Sequence, residues 1–250
     1  MKVVRGKRLR ATRVDRCGMP LPGEASSLVT SGFVSVNYTP NMREGEDLTQ
    51  QNADGKNCVV DRTDPEMNWV DVSATLCEVD VELLSMMTNL PQVLDYADRP
   101  TGFRMSKNID LATGVALEVW SGTAGDDCER IELSDDLFDL EEPISNYGYW
   151  LAPAIVEGTI GEIEIAASVA TFTLTGRAVA GPRWGRGPYE VMAVDASNTP
   201  GRLLTPITKD DFVHVDEVTI APPAETNGAV ALEVPTPYYA DSDGGGSGEG

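Results

Sequence analysis

The run Trp69-Val70-Asp71-Val72-Ser73-Ala74-Thr75-Leu76-Cys77-Glu78 decides the fold class of this chain. Val70, Val72, Ala74 and Leu76 alternate with Asp71, Ser73, Thr75 and Cys77, the period-two pattern of a strand with one apolar and one wettable face. Residues 32–38 repeat it: Val34, Val36 and Tyr38 fall on one side, Ser35 and Asn37 on the other. Such strands pack their apolar faces on one another or on a helix and need water on the polar side. Further runs at 115–120, 147–156, 162–176, 189–195 and 212–220 read as strands, separated by Gly- and Pro-rich linkers such as Gly181-Pro182 and Gly187-Pro188. In 162–176, Glu162 and Glu164 stand opposite Ile163 and Ile165. The apolar parity shifts before Phe172 and Leu174, which predicts a bulge.

One segment reads as helix, residues 80–90. Asp80 suits the N-cap, Val81, Leu84, Met87 and Thr88 trace one side, and Pro91 stops the run. A Met and Leu stripe of this kind is core packing rather than a binding groove. Residues 44–61 are polar and read as a long hairpin with Asn52-Ala53-Asp54-Gly55 at its tip, where Asp and Gly suit a tight turn. That hairpin has little apolar surface of its own, so it is either mobile or ordered against a neighbour. One helix among many short-spaced strands predicts an all-β fold with one helix, a β-sandwich or barrel. No flexible linker divides the chain, so residues 17–235 read as one domain behind a basic N-terminal arm or first strand, 1–16. Residues 236–250, Gly, Ser and acids in the main, read as a flexible tail.

The 250 residues carry 40 acids against 19 bases, a formal net charge of −21. Clustered Lys and Arg, which a nucleic-acid grip or an anionic membrane surface requires, are absent from most of the chain. Residues 1–16 are the exception: Lys2, Arg5, Lys7, Arg8, Arg10, Arg13 and Arg16 against Asp15 give +6, leaving −27 on the rest. A basic arm on an acidic body predicts arm-to-body contact between copies, against the plainer alternative of a solvated strand. Neither a secretion signal nor a membrane helix is expected: Arg13, Asp15 and Arg16 interrupt the start, and the uncharged stretch 25–42 is broken by polar residues.

Little in the sequence points to chemistry. His214 is the single histidine, and it shares a strand face with Asp216, but no Gly-x-Ser-x-Gly elbow supports a nucleophilic site. Cys17, Cys58, Cys77 and Cys128 contain no Cys-x-x-Cys pair, and reduced thiols are the default without a signal peptide. The acidic groups Asp126-Asp127-Cys128-Glu129, Asp135-Asp136 with Asp139, and Asp210-Asp211 lack the spacing of a calcium loop and read as solvated surface. No catalytic, cofactor-binding or metal residue is predicted, and no enzyme activity.

Several segments, in order, resemble the major tail (tail tube) proteins of long-tailed bacteriophages that infect actinobacteria. They are Arg8-Leu9-Arg10-Ala11-Thr12-Arg13-Val14-Asp15 with Cys17-Gly18 and Pro20, then Gly32-Phe33-Val34-Ser35-Val36, then Glu44-Gly45-Glu46 with Asn52-Ala53-Asp54-Gly55. Cys77, Val79-Asp80 opening the helix, Thr199-Pro200-Gly201, His214-Val215 and Ala221-Pro222-Pro223 follow. The similarity runs from about Lys7 to about Glu233, and order and spacing carry it rather than any one motif.

The resemblance implies a structural virion protein without an active site or cofactor. It implies β-sandwich or barrel subunits of tail tube type that close into hexameric rings, assembled in the host cytoplasm and stacked into a tube. Partners would be further copies of the chain and the tail terminator, tape measure and tail tip proteins; genomic DNA would pass without specific binding, and no membrane is involved. On that reading Ser35, Asn37, Asp71, Ser73, Thr75, Glu162 and Glu164 are candidates for the channel face. Lys7, Arg8, Arg10, Asn52, Asp54 and Gly55 are candidates for contacts between subunits. A virion decoration or adhesin-type binding module and an acid-rich hydrolase are the alternatives.

Overall fold

The computed structural model describes residues 5–51, 53–77, 80–107, 112–122, 146–165 and 170–232. In chain order its first strands are β1 (Arg5–Asp15), β2 (Gly23–Thr30), β3 (Phe33–Arg43), β4 (Asp47–Gln51), β5 (Asn57–Arg62) and β6 (Glu66–Leu76), followed by the helix α1 (Val81–Thr88). Then come β7 (Gln92–Leu94), β8 (Pro100–Phe103), β9 (Thr113–Gly122), β10 (Tyr147–Ile165) and β11 (Ala170–Ala178). The last are β12 (Met192–Ala193), β13 (Pro200–Gly201), β14 (His214–Val218) and β15 (Val230–Leu232). The class is all-β with one helix, as the alternation predicts.

The main sheet is antiparallel and runs β15-β2-β1-β9-β10-β11-β6-β3, with β14 also paired to β10. The strands after residue 146 therefore belong to the same sheet as those before it. β10 is the pivot: Tyr147 to Leu151 pair with both β9 and β14, while the half from Ile155 onward pairs with β11. Register shifts at Val156/Thr159 and Ile160/Ile163 bend it, since each extra residue increases local twist. The sheet folds over on itself, so that β1 meets β3 from the far edge. The ring of Phe33 lies against Gly6, where a Cβ would come within 2.5 Å of it.

The fold-over encloses the larger core. Leu9, Ala11, Leu28, Val115, Leu117 and Val119 come from one half of the sheet, Val70, Val72, Leu76 and Leu174 from the other, and Leu83, Leu84, Met86 and Met87 from α1. Each fully buried leucine contributes about 2 kcal/mol. The helix is placed by its ends. The Asp80 carboxylate accepts from the N–H groups of Glu82 (2.8 Å) and Leu83 (3.3 Å), the cap its sequence predicts. At the other end Asn89 takes the left-handed conformation (φ 54°) and its N–H donates to Ser85 O. The Asn89 amide then donates to Thr113 O (3.0 Å) and accepts from the Thr113 hydroxyl (2.8 Å), tying the helix to β9. The last turn also abuts β10 at Gly158, where a Cβ would lie 1.7 Å from Met87 O.

A second core lies across β1, β9 and β10. Val14, Ala116, Trp120, Tyr149 and Leu151 are covered there by Trp184, Val191, Leu203 and Ile207 from the loops around β12 and β13. β9 is buried on both faces. Inside this second layer sits an ion pair. Arg10 Nε and Nη2 donate to the two oxygens of Glu118 at 2.5 and 2.7 Å, and Tyr149 OH donates to the same carboxylate at 2.6 Å. The Arg10 guanidinium lies over the rings of Tyr189 (3.4 Å) and Trp120 (5.0 Å). Burial works against the Arg10 charge, but the adjoining Glu118 carboxylate more than offsets it and the guanidinium pKa lies above its ordinary value. Burial also raises the Tyr149 and Tyr189 hydroxyls.

Four sequence expectations change. Of the basic arm or first strand expected at 1–16, residues Arg5–Asp15 form the first strand and not a free arm: β1 pairs with β2 on one side and β9 on the other, an interior position in the sheet. Val34 is not on the apolar face of β3 but 60% exposed, because the register shifts between Phe33/Ser35 and Phe33 takes the core position opposite Leu76. Residues 162–176 are not one strand. Ile165 pairs with Ala170, so the chain reverses between them, and the parity change marks the reversal rather than a bulge. The strand at 189–195 shrinks to β12, because Val191 and Tyr189 pack into the loop layer instead of a ladder. The acidic groups at 126–129 and 135–139, with Cys128, and the tail 236–250 lie outside the described residues.

Removing one partner of a buried, hydrogen-bonded ion pair strands the other charge. Glu118→Gln should therefore lower stability by about 3 kcal/mol or more in urea unfolding, whereas Arg10→Met with Glu118→Leu should cost less than Glu118→Gln alone. Equal or larger loss in the double variant would show that the pair itself supplies net stability.

Candidate functional site

Among the described residues, the far half of the sheet, β3-β6-β11 with the second half of β10, is covered on one face only. Its core face continues in rows: Phe33, Leu76 and Phe172; Val36, Ala74 and Leu174; Tyr38 and Val72. The opposite face follows from the same register. Ser35, Thr75 and Thr173 form one row, Asn37, Ser73, Thr175 and Thr159 the next, and Thr39, Asp71 and Arg177 the third. The hydroxyls of Thr159 and Thr175 meet at 2.9 Å. All of these side chains are half-buried or exposed, so water covers a surface made of hydroxyls and amides.

Charge on this face is concentrated and paired. Arg177 donates to Glu157 at 2.9 Å, lies 3.9 Å from Asp71 and stacks over Trp69 at 4.8 Å; the Trp69 indole N–H donates to Asp71 at 3.0 Å. The predicted residues Ser35, Asn37, Asp71, Ser73 and Thr75 are thus brought together. Glu162 is exposed at the second register shift of β10, and Glu164 pairs with Thr171, one row beyond Thr173. Sequence reading missed Thr39, Thr159, Thr173, Thr175 and Arg177. The alternation of Thr171, Thr173 and Thr175 with Phe172 and Leu174 was the signal, hidden by joining β11 to the end of β10.

Among the described residues this surface ends in an unpaired edge. β3 is the last strand of the sheet and 11 residues long, and an edge of that length offers its N–H and C=O groups to another chain. Beyond the last β3–β6 pair, Arg43 with Glu66, the chain continues into β4 and β5, which pair with each other and form their own sheet. Leu48 (49%) and Val60 (72%) are exposed on this projecting hairpin. Asp54 and Gly55 are at its exposed tip, Gly55 with φ 76°; Asn52 lies outside the described residues.

The basic candidates are placed differently. Arg10 is a correction: 6% exposed and held by Glu118, it cannot meet a neighbour. Arg8 pairs with Glu225 at 3.1 Å and Lys7 lies 5.1 Å from the centre of the Tyr147 ring, so both are engaged within the chain.

Elsewhere the described residues offer little chemistry. His214 Nε2 is buried 3.5 Å from Asp216 without a hydrogen bond. Asp210 pairs with Lys209, and Asp211 accepts from the Thr208 N–H and hydroxyl. Among the described residues no group of three or more His, Cys, Asp or Glu could hold a metal ion, and no helix is long and apolar enough to cross a membrane. Cys17, Cys58 and Cys77 are exposed and unpaired in the chain. A cleft of about 150 Å³ lined by Arg16, Val156, Glu157 and Val179 is smaller than ligand sites usually are. Comparison of the sequence with protein-family models finds no match, and comparison with curated proteins finds none.

Because β4 and β5 pair only with each other, replacing residues 47–62 by Gly-Gly should leave the subunit folded. Its thermal midpoint should stay within about 2 °C, the scatter of surface changes. A fall of ten degrees would show that the hairpin packs on the sheet.

Proposed function

We propose that the chain is a structural subunit that assembles with copies of itself into rings and a tube. The polar rows of β3, β6 and β11 would form the wall of a water-filled channel. One observation carries the reading: a hydroxyl- and amide-lined sheet face that ends at a long edge strand, paired on its inner side alone among the described residues. A channel wall needs side chains that stay hydrated, and it is closed by pairing the edge strand of one subunit with the next, which satisfies its backbone groups. The projecting β4–β5 hairpin supports the same reading, since a segment with exposed Leu48 and Val60 and a packed partner only in itself is suited to a neighbouring ring.

The resemblance to tail tube proteins of actinobacterial phages assigns the particulars. The tube would belong to a virion tail and be built in the host cytoplasm from hexameric rings. It would meet terminator, tape measure and tail tip proteins at its ends and let genomic DNA pass without gripping it. No catalytic step is assigned.

Electron microscopy of the purified protein over a range of concentration is the direct test. Rings or tubes with a central channel are the expected outcome, and a monomer at all concentrations overturns the proposal in favour of a decoration or adhesin-type module. Within tubes, Asp71→Lys reads the wall. It sets a second cation beside Arg177 but leaves both hydrated, so tubes should form as before. DNA release from particles carrying the variant should slow, because added cations hold phosphates by releasing their counterions. Loss of tubes would place Asp71 at a subunit contact instead.

A further inference from the structure

We propose that the β7–β8 hairpin is a docking surface for a second copy of this chain, and that it receives that copy's β4–β5 arm. The inference rests on the assembly reading above and adds to it the place where the arm lands.

The hairpin presents an aromatic side chain on a rigid turn. Tyr96 is 96% exposed at its tip, with Leu94 at 50% two residues before it and Met105 at 65% just past the base of the hairpin. Single exposed apolar residues are ordinary, but three large ones within a short segment mark a contact site. The turn below Tyr96 is fixed by Asp95, whose carboxylate accepts from the N–H groups of Ala97 (2.8 Å) and Arg99 (3.0 Å) and from the Arg99 side chain (3.2 Å). Those backbone hydrogen bonds, from Arg99 and then Ala97, lower the Asp95 pKa. Asp98 adopts φ 57° to close the turn. At the base, Arg104 N–H donates to Pro91 O (2.9 Å) and Phe103 packs against the main core. A tyrosine held on so ordered a turn loses little further entropy on binding, which is the property of an interface anchor.

Charge selects the occupant. Residues 91–107 carry Arg99, Arg104 and Lys107 against Asp95 and Asp98, a net of +1. Arg99 is used by Asp95, while Arg104 and Lys107 are exposed next to Met105. The arm, residues 43–66, carries seven acids (Glu44, Glu46, Asp47, Asp54, Asp61, Asp64, Glu66) against Arg43, Lys56 and Arg62, a net of −4. It also exposes Leu48 and Val60, with Met42 (51%) and Met67 (39%) paired at its root. A hairpin with a net positive charge and an exposed aromatic complements an acidic arm with apolar spots, and the named apolar side chains of both are exposed.

The test uses the full chain with benzoylphenylalanine in place of Tyr96, assembled, irradiated and mapped by peptide mass spectrometry. Cross-links from position 96 to residues 43–66 of another copy are expected. Tubes that yield no cross-link, or a cross-link elsewhere, overturn this inference and leave the assembly reading standing. Wild-type protein that never assembles overturns both. As a second readout, Tyr96→Ala should lower tube yield at fixed concentration by about tenfold or more with an unchanged thermal midpoint. Tyr96→Phe should recover most of it. Yield unaffected by Tyr96→Ala also overturns the proposal.

Discussion

The Arg10–Glu118 pair is the constraint on which the rest of the fold depends. Two charges taken out of water are tolerated only if each finds its full set of partners, and this pair draws them from four elements. Arg10 comes from β1, Glu118 from β9 and Tyr149 from β10, while Tyr189 covers the guanidinium from the loop layer. Tyr189 OH in turn donates to Ser27 on β2 and meets the Thr12 hydroxyl at 2.9 Å. Satisfying the charges therefore fixes the order of three adjacent strands and places the lid above them. A slip of one residue in β1 would turn Arg10 into the apolar core beside α1 and set Leu9 against the Glu118 carboxylate, leaving both charges without their partners.

From that arrangement follows the asymmetry of the sheet. The loops carrying Trp184, Val191, Leu203 and Ile207 cover β1, β9 and the first half of β10, so those strands are buried on both sides. Past the bends in β10 the cover by described residues ends, and among them β11, β6 and β3 pack on the core around α1 alone. The composition obeys the division. β9 reads Val115-Ala116-Leu117-Glu118-Val119-Trp120, nearly continuous apolar sequence with one paired acid, whereas β6 and β11 alternate strictly.

This division explains what the sequence made legible. Alternation is a local signal, so the fold class, β6, the Asp80 helix cap and the polar side of β3 and β6 could be read directly. The destination of a basic residue is not local. Nothing in Arg8-Leu9-Arg10 distinguishes the arginine that pairs at the surface with Glu225 from the one that is buried, because the answer lies 108 residues away at Glu118. Val34 misled for a similar reason: the shift in β3 is set by the partner strand, and an exposed valine looks like a core valine in sequence. β11 was lost because Ala166-Ala167-Ser168-Val169, between the two strands, contains neither Pro nor Gly and so gives no turn signal.

The charges on the polar face also change how a channel wall of this kind would work. A net of −21 per chain suggests a wall that repels phosphate, yet the third row sets Arg177 between Asp71 and Glu157, and the other two rows are neutral hydroxyls and an amide. Exposed pairs of this sort contribute little stability; their consequence here is to cancel most of the local field. A neutral, hydroxyl-covered surface holds its own water and gives a polyanion neither a cation to bind nor counterions to release. The acids, meanwhile, collect where like charges are tolerated by solvent, on the projecting arm among other places. On the proposed reading, passage of DNA depends on hydration of the wall rather than on repulsion from it, and the acidic surplus serves contacts between copies.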